Sequence, residues 1–167
     1  PIHCYCRVID EPVIRIGSID GGARIEIREI DELLDFRRPG DRFALAKAAL
    51  AISGFSPQVA DWPAGISLRQ MLEEFGGGIE LTCLVGIPKG SGLGTSSILG
   101  AVIMAVIRRL LGREQNQREI FHEVLRLEQA LTTGGGWQDQ AGGIYPGAKI
   151  TSTKPGIFPD PLVHYVT

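Results

Sequence analysis

The residues best suited to chemistry lie at three places in the chain. The first is Pro88-Lys89-Gly90-Ser91-Gly92-Leu93-Gly94-Thr95-Ser96-Ser97. Glycines at 90, 92 and 94 let the backbone take positive φ angles and approach a ligand closely. Successive N–H groups can then turn inward around an anion. The apolar run that follows, Ile98 to Ile107, reads as a buried helix. Its first-turn N–H groups and the positive end of its dipole add to the attraction. The hydroxyls of Thr95, Ser96 and Ser97 can bind phosphate oxygens or a magnesium ion. A glycine-rich connection with a serine cap and no ligand is the plain alternative. Three glycines, three hydroxyls and a buried helix together favour a phosphate site over Gly90 to Ser97. No Gly-Lys-Ser/Thr triplet closes the loop, so it is not a P-loop. For a dinucleotide fingerprint the third glycine falls one position early.

The second and third places are single carboxylates. Glu128 lies on a stretch whose apolar stripe is Ile120, Val124, Leu127 and Leu131, widened by Phe121 and Leu125. At about 100° per residue Glu128 falls between Val124 and Phe121, on the packed side. A carboxylate there needs a cation, a donor or water. Otherwise it snorkels to the helix edge or pairs with Arg118 or Arg126. Asp139 lies in Thr132-Thr133-Gly134-Gly135-Gly136-Trp137-Gln138-Asp139-Gln140, which reads as a polar loop. It is either a catalytic carboxylate or an acid that stabilises its own turn. Trp137 beside it either stacks on the apolar face of a sugar or anchors the loop in the core.

These groups need a scaffold, and periodicity supplies one. Strands are expected over Ile2 to Ile9, Val13 to Ile16, Ala23 to Ile27 and Ile79 to Val85. Asp20-Gly21-Gly22 marks a hairpin turn between the second and third. Asp31 to Gly40 reads as a loop or a short helical turn. Asp41 can cap a helix running to about Ser53 and ending at Gly54. Ser67-Leu68-Arg69-Gln70 is a capping box that opens a helix ending at Gly76-Gly77-Gly78. Further helices are expected from Ser96 or Ser97 to Leu111, stopped by Gly112, and from Gln117 to Leu131. The tail holds short strands broken by Pro146, Pro155, Pro159 and Pro161. The mixture is α+β.

Pro88 to Ser97 resembles the second signature motif of the GHMP kinases, the superfamily of galacto-, homoserine, mevalonate and phosphomevalonate kinases. The resemblance implies a GHMP N-terminal domain, related to the second domain of ribosomal protein S5, that binds ATP and Mg2+. Thr95 and Ser96 match the family's paired hydroxyls, which makes Ser96 the magnesium candidate. Ser97 stands where the family commonly has alanine, which leaves the ligand open between the two serines. Glu128 and Asp139, eleven positions apart, are similar to the family's helix glutamate and its loop Asp-Gln. The resemblance implies that Glu128 helps to hold magnesium and that Asp139 is base or orienter for the acceptor hydroxyl.

The longer string Leu131 to Gln140, and Ala44-Leu45-Ala46-Lys47-Ala48-Ala49-Leu50, are similar to L-fucokinases and to the kinase half of bifunctional fucokinase/GDP-fucose pyrophosphorylases. The implied reaction is phosphoryl transfer from ATP to the anomeric hydroxyl of L-fucose, with Gly136, Trp137 and Asp139 at the sugar. Heptose-phosphate kinases are the nearest enzymatic rival. A nucleotide-binding domain without catalysis and an assembly module that keeps the fold are the alternatives from other classes. The family's first motif is expected upstream of Pro1, and its third, with the C-terminal domain, beyond Thr167. Residues 1–167 are thus expected to be one partial domain, inactive until the missing segments complete it.

The 167 residues suffice for one core, with 44% hydrophobic and 22% charged residues and a formal charge of −2. That composition speaks against bulk binding to nucleic acid or to an anionic membrane. The apolar run is too short to span a bilayer, and no signal peptide is evident at the start. Three cysteines, an odd and low number, fit a reducing, cytoplasmic setting. His3, Cys4 and Cys6 lack the second ligand pair that a zinc site needs.

Overall fold

Alternation of apolar and polar residues builds a four-stranded sheet from Ile2–Ile9 (β1), Ile14–Ser18 (β2), Ala23–Ile27 (β3) and Gly78–Val85 (β4). The computed structural model describes residues 1–88, 92–131, 136–156 and 159–166. The strand order is β1-β4-β2-β3, with β4 antiparallel to β1 and parallel to β2. Ile14 and Ile16 of β2 lie opposite Ile79 and Leu81 of β4, and all four are buried. The other face carries a row of alternating charge. Arg7 faces Glu80, Glu80 faces Arg15, and Arg15 faces Glu26. Opposite charges on facing strands favour this register, and they keep that face polar while the helices cover the apolar one.

Three helices connect β3 to β4: Ile30–Leu34 (α1), Ala44–Ile52 (α2) and Leu68–Phe75 (α3). The capping box forms at α3: Ser67 Oγ accepts from the Gln70 N–H at 3.2 Å, and Gln70 Oε1 from the Ser67 N–H at 2.9 Å. Gly76, at φ 105°, ends it. Asp41 does not cap α2 directly, because the helix starts three residues later. Its carboxylate instead accepts from the Phe43 N–H at 2.8 Å and from Lys47 Nζ at 2.7 Å. One aspartate thus fixes the turn and braces the first helical turn beyond it.

The other helices are Thr95–Leu110 (α4), Gln117–Ala130 (α5) and Gln138–Ile144 (α6). α4 lies against β1 and touches α2, α5 and α6. Gly100 lets α5 come close: a Cβ there would sit 3.3 Å from Leu127 Cδ2 and 3.5 Å from Val124 Cγ1. Buried Arg108 pins the far end of α4 to α5 through Glu119 and Glu123. Asp139, expected in a loop, lies in the first turn of α6. Gly142 and Gly143 hide this helix from propensity. Gly143 suits the packing, since a Cβ on it would fall 2.6 Å from Ile98 Cγ1. Lys149–Ser152 (β5) and Leu162–Tyr165 (β6) pair as a separate antiparallel ribbon. No helix among the described residues is long and apolar enough to cross a membrane.

Candidate functional site

The site is assembled around the N-terminus of α4. Gly94 is its N-cap, at φ 62° and ψ 28°, and as a glycine it has no side chain with which to cap the helix. The Gly94 carbonyl accepts from the Ile98 N–H at 3.0 Å, which closes the first turn. The N–H groups of that turn have no partner within the helix, as at any helix start. Gly92, at φ 68°, also lies in the left-handed region, and no described residue stands within 4 Å of where its Cβ would be. No described residue therefore blocks the approach of a ligand to the backbone at Gly92. Leu93 and Ser96 are exposed, Thr95 is half-buried and Ser97 is buried. Gly90 and Ser91, the remaining positions of the expected phosphate loop, lie outside the described residues, as do Thr132 to Gly135.

Two acids from different elements converge on this end of α4. Ser97 Oγ donates to Glu128 Oε1 at 2.6 Å. Glu128, only 9% exposed, does face the packed side of α5, and it meets the first turn of α4 there. Ser97, Gly100 and Met104 form a buried stripe on α4, which is why Ser97 and not Ser96 reaches the glutamate. Asp139 comes from α6. A Cβ on Gly94 would lie 3.3 Å from Asp139 Cβ and 3.7 Å from its Oδ1. The aspartate thus sits directly against the helix cap, with its side chain exposed. Gly136 is exposed and Trp137 half-buried. Trp137 is not among the described residues packed on the main core, whereas Trp62 is.

Gln140, next to Asp139, was not singled out by sequence reasoning. It is 1% exposed, and its Nε2 donates to Glu128 Oε2. The signal available in the sequence was the polar pair Asp139-Gln140 after a glycine run, where a turn of α6 sends one side chain outward and the next inward.

The oxygens gathered here are hydroxyl and carboxylate, the hard donors that magnesium prefers. Among the described residues no three His, Cys, Asp or Glu side chains are grouped to hold a metal by themselves. A cation at this place would be shared with phosphate oxygens, which is the usual protein environment of magnesium. Glu128, with Ser97 and Ser96 on the adjoining turn, fits that requirement.

The cysteines lie elsewhere, on the sheet. Cys4 and Cys83 face each other across β1 and β4 with their sulfurs 3.4 Å apart. The hydrogen bond with Cys83, then burial, holds the Cys4 thiol far above its ordinary range. Burial pushes the Cys6 thiol up to about 12. Neither offers a thiolate at neutral pH, and His3 is exposed on the opposite side of the strand.

Residues 64–147 match the family described as GHMP kinases N terminal domain. Over 99% of its length the chain is 42% identical to the L-fucokinase/L-fucose-1-P guanylyltransferase of Bacteroides fragilis, of which it spans 17%. Over 94% of its length it is 36% identical to the bifunctional fucokinase/GDP-fucose pyrophosphorylase of Arabidopsis thaliana, of which it spans 14%. Its fold is similar to that of a D-glycero-D-manno-heptose 1-phosphate kinase from Bacteroides thetaiotaomicron. That likeness has a TM-score of 0.70 and 16% identity, and covers 99% of this chain and 48% of the other.

Proposed function

Because this chain belongs to the GHMP kinase family, we propose that it is the phosphate-binding and acid-bearing part of an ATP-dependent kinase acting on the anomeric hydroxyl of L-fucose. The observation that carries this reading is the convergence of Asp139 on Gly94 and of Glu128 on Ser97. One helix N-terminus thereby adjoins left-handed glycines, a buried carboxylate and an exposed carboxylate, which supports its reading as the place of phosphate, cation and acceptor hydroxyl. The choice of L-fucose rests on the 42% and 36% identity to two proteins named as fucokinases. The chain spans 17% and 14% of their lengths, so residues outside it complete the active site in this proposal.

In the proposed reaction the anomeric oxygen attacks the γ-phosphorus, the bond from that phosphorus to the ADP oxygen breaks, and the hydroxyl proton passes to Asp139. Asp139 orients the hydroxyl before it takes the proton. The N–H groups of α4's first turn and the backbone from Gly90 to Gly94 hold phosphate oxygens. Thr95, Ser96 and Ser97 line the same turn. Glu128 and Ser96 would hold the magnesium ion of the nucleotide, which when bound would neutralise phosphate charge. Trp137 and Gly136 lie beside Asp139 in sequence and flank the sugar.

The test is a product assay with the full-length protein that carries this chain. L-fucose should be phosphorylated at its anomeric position in preference to galactose and to a heptose phosphate. A tenfold preference for heptose phosphate, about 1.4 kcal/mol in transition-state binding, would replace the proposed substrate. Nucleotide binding without turnover of any sugar would mark a binding module instead.

A further inference from the structure

Glu128 has a donor on each of its carboxylate oxygens. Ser97 Oγ reaches Oε1 from α4, and Gln140 Nε2 reaches Oε2 from α6. The three side chains are 4%, 9% and 1% exposed at Ser97, Glu128 and Gln140. Packing alone does not call for an amide at position 140. Ala141 and Phe121 are fully buried at this junction, and the Phe121 and Tyr145 rings lie 6.3 Å apart. Burying an amide costs free energy unless it is hydrogen-bonded. Gln140 Oε1 makes no hydrogen bond among the described residues, so the amide is held there by its donor side. A free glutamate side chain loses roughly 1.5–2 kcal/mol of rotamer entropy when fixed. With two donors already in place, that loss precedes any ligand.

We propose that Gln140 and Ser97 are positioning residues that clamp Glu128 in one orientation toward the divalent cation of the nucleotide. The inference rests on the kinase reading above and deepens it. A carboxylate offers about four lone-pair sites, and donors at some of them are compatible with a metal ion at another. Hydrogen bonds from behind a ligating carboxylate set its direction, and losing such a partner typically weakens metal affinity by about 10–100-fold. Gln140 adjoins Asp139 on α6, so the same short helix sets the orientation of one acid and the position of the other. Ser97 supplies its half of the clamp from a position where alanine would remove that donor.

The experiment measures Mn2+ binding to the full-length protein by electron paramagnetic resonance, with a non-hydrolysable ATP analogue at saturation. The variants are Gln140→Met, which keeps the volume but not the donor, Ser97→Ala, and Ser97→Thr, which restores a hydroxyl. Gln140→Met and Ser97→Ala should each weaken Mn2+ binding by at least about tenfold. Gln140→Met should leave affinity for the metal-free nucleotide unchanged, and Ser97→Thr should recover most of the loss seen in Ser97→Ala. A merely structural role would lower the melting temperature and leave Mn2+ affinity of the folded protein alone. Should Gln140→Met fail to fold, Ser97→Ala decides. Mn2+ affinities within about twofold of the parent overturn the clamp and leave the kinase reading standing. A parent protein that shows no nucleotide-linked Mn2+ binding overturns both.

Discussion

Gly94 and Asp139 are in contact distance across the site: the space where a Gly94 side chain would begin lies 3.3 Å from Asp139 Cβ. The helix cap and the exposed acid are therefore positioned by each other. Gly94→Ala places a methyl group in that space and forces a side chain into the left-handed region, at a cost of about 1–2 kcal/mol. Gly112→Ala, beyond the far end of α4, supplies the control, because its φ of 68° is similar and no described residue lies within 4 Å of its Cβ position. Both variants should lose similar stability by thermal denaturation. Only Gly94→Ala should also displace Asp139, so kcat of the full-length protein should fall further for Gly94→Ala than the shared strain accounts for. Equal activities in the two variants would separate the glycine from the acid.

Asp139→Asn keeps the shape of the side chain and removes its charge. The side chain is exposed, so stability should change by less than about 0.5 kcal/mol. In the full-length protein kcat should fall by at least about a hundredfold, the lower end for a positioned acid–base group. Nucleotide affinity, measured by calorimetry, should stay near the parental value. Turnover close to the parental rate would make Asp139 a turn residue.

Gly100 governs how near α5 comes to α4. Gly100→Val would press its side chain onto Leu127 and Val124, and overpacking of this kind costs about 1–3 kcal/mol. Because Ser97 lies one turn away on the same buried stripe, the same change should draw Ser97 from Glu128 and weaken the metal response. Leu127→Ala alone should destabilise by about 2–5 kcal/mol. Combined with Gly100→Val it should cost less than the two changes summed, since each relieves the other. Additive denaturation midpoints would rule out the contact.

Glu32 gives the acid side of the stability profile a defined contribution. Its carboxylate accepts from the backbone N–H of Arg28 at 2.8 Å and of Glu29 at 3.2 Å. These bonds, Arg28's first, hold its pKa below the ordinary 4.5. A carboxyl whose pKa is lowered by folding adds stability that is complete above its unfolded value and lost as pH falls through the folded one. Glu32→Gln should therefore melt below the parent at about pH 6, with the gap closing at about pH 3. A gap that is constant across that range would show that the charge contributes nothing.

Most of the scaffold was legible in the sequence because its signals are local. The alternation in β1, β3 and β4, the capping box at Ser67 and the glycine stops at 76 and 112 each act within a few residues. The left-handed turn before α4 and the packed side of α5 that carries Glu128 follow from the same local patterns. α6 was hidden because Gly142 and Gly143 argue against a helix, while close packing on Ile98 favours one there. That Ser97 and Gln140 are the side chains that meet Glu128 was decided only by tertiary structure. The contacts in question span 31 and 12 positions, and periodicity gives the face of each helix without its neighbour. Which hydroxyl or amide meets a buried carboxylate depends on how closely two helices approach, and at α4 and α5 that distance is set by the missing side chain of Gly100.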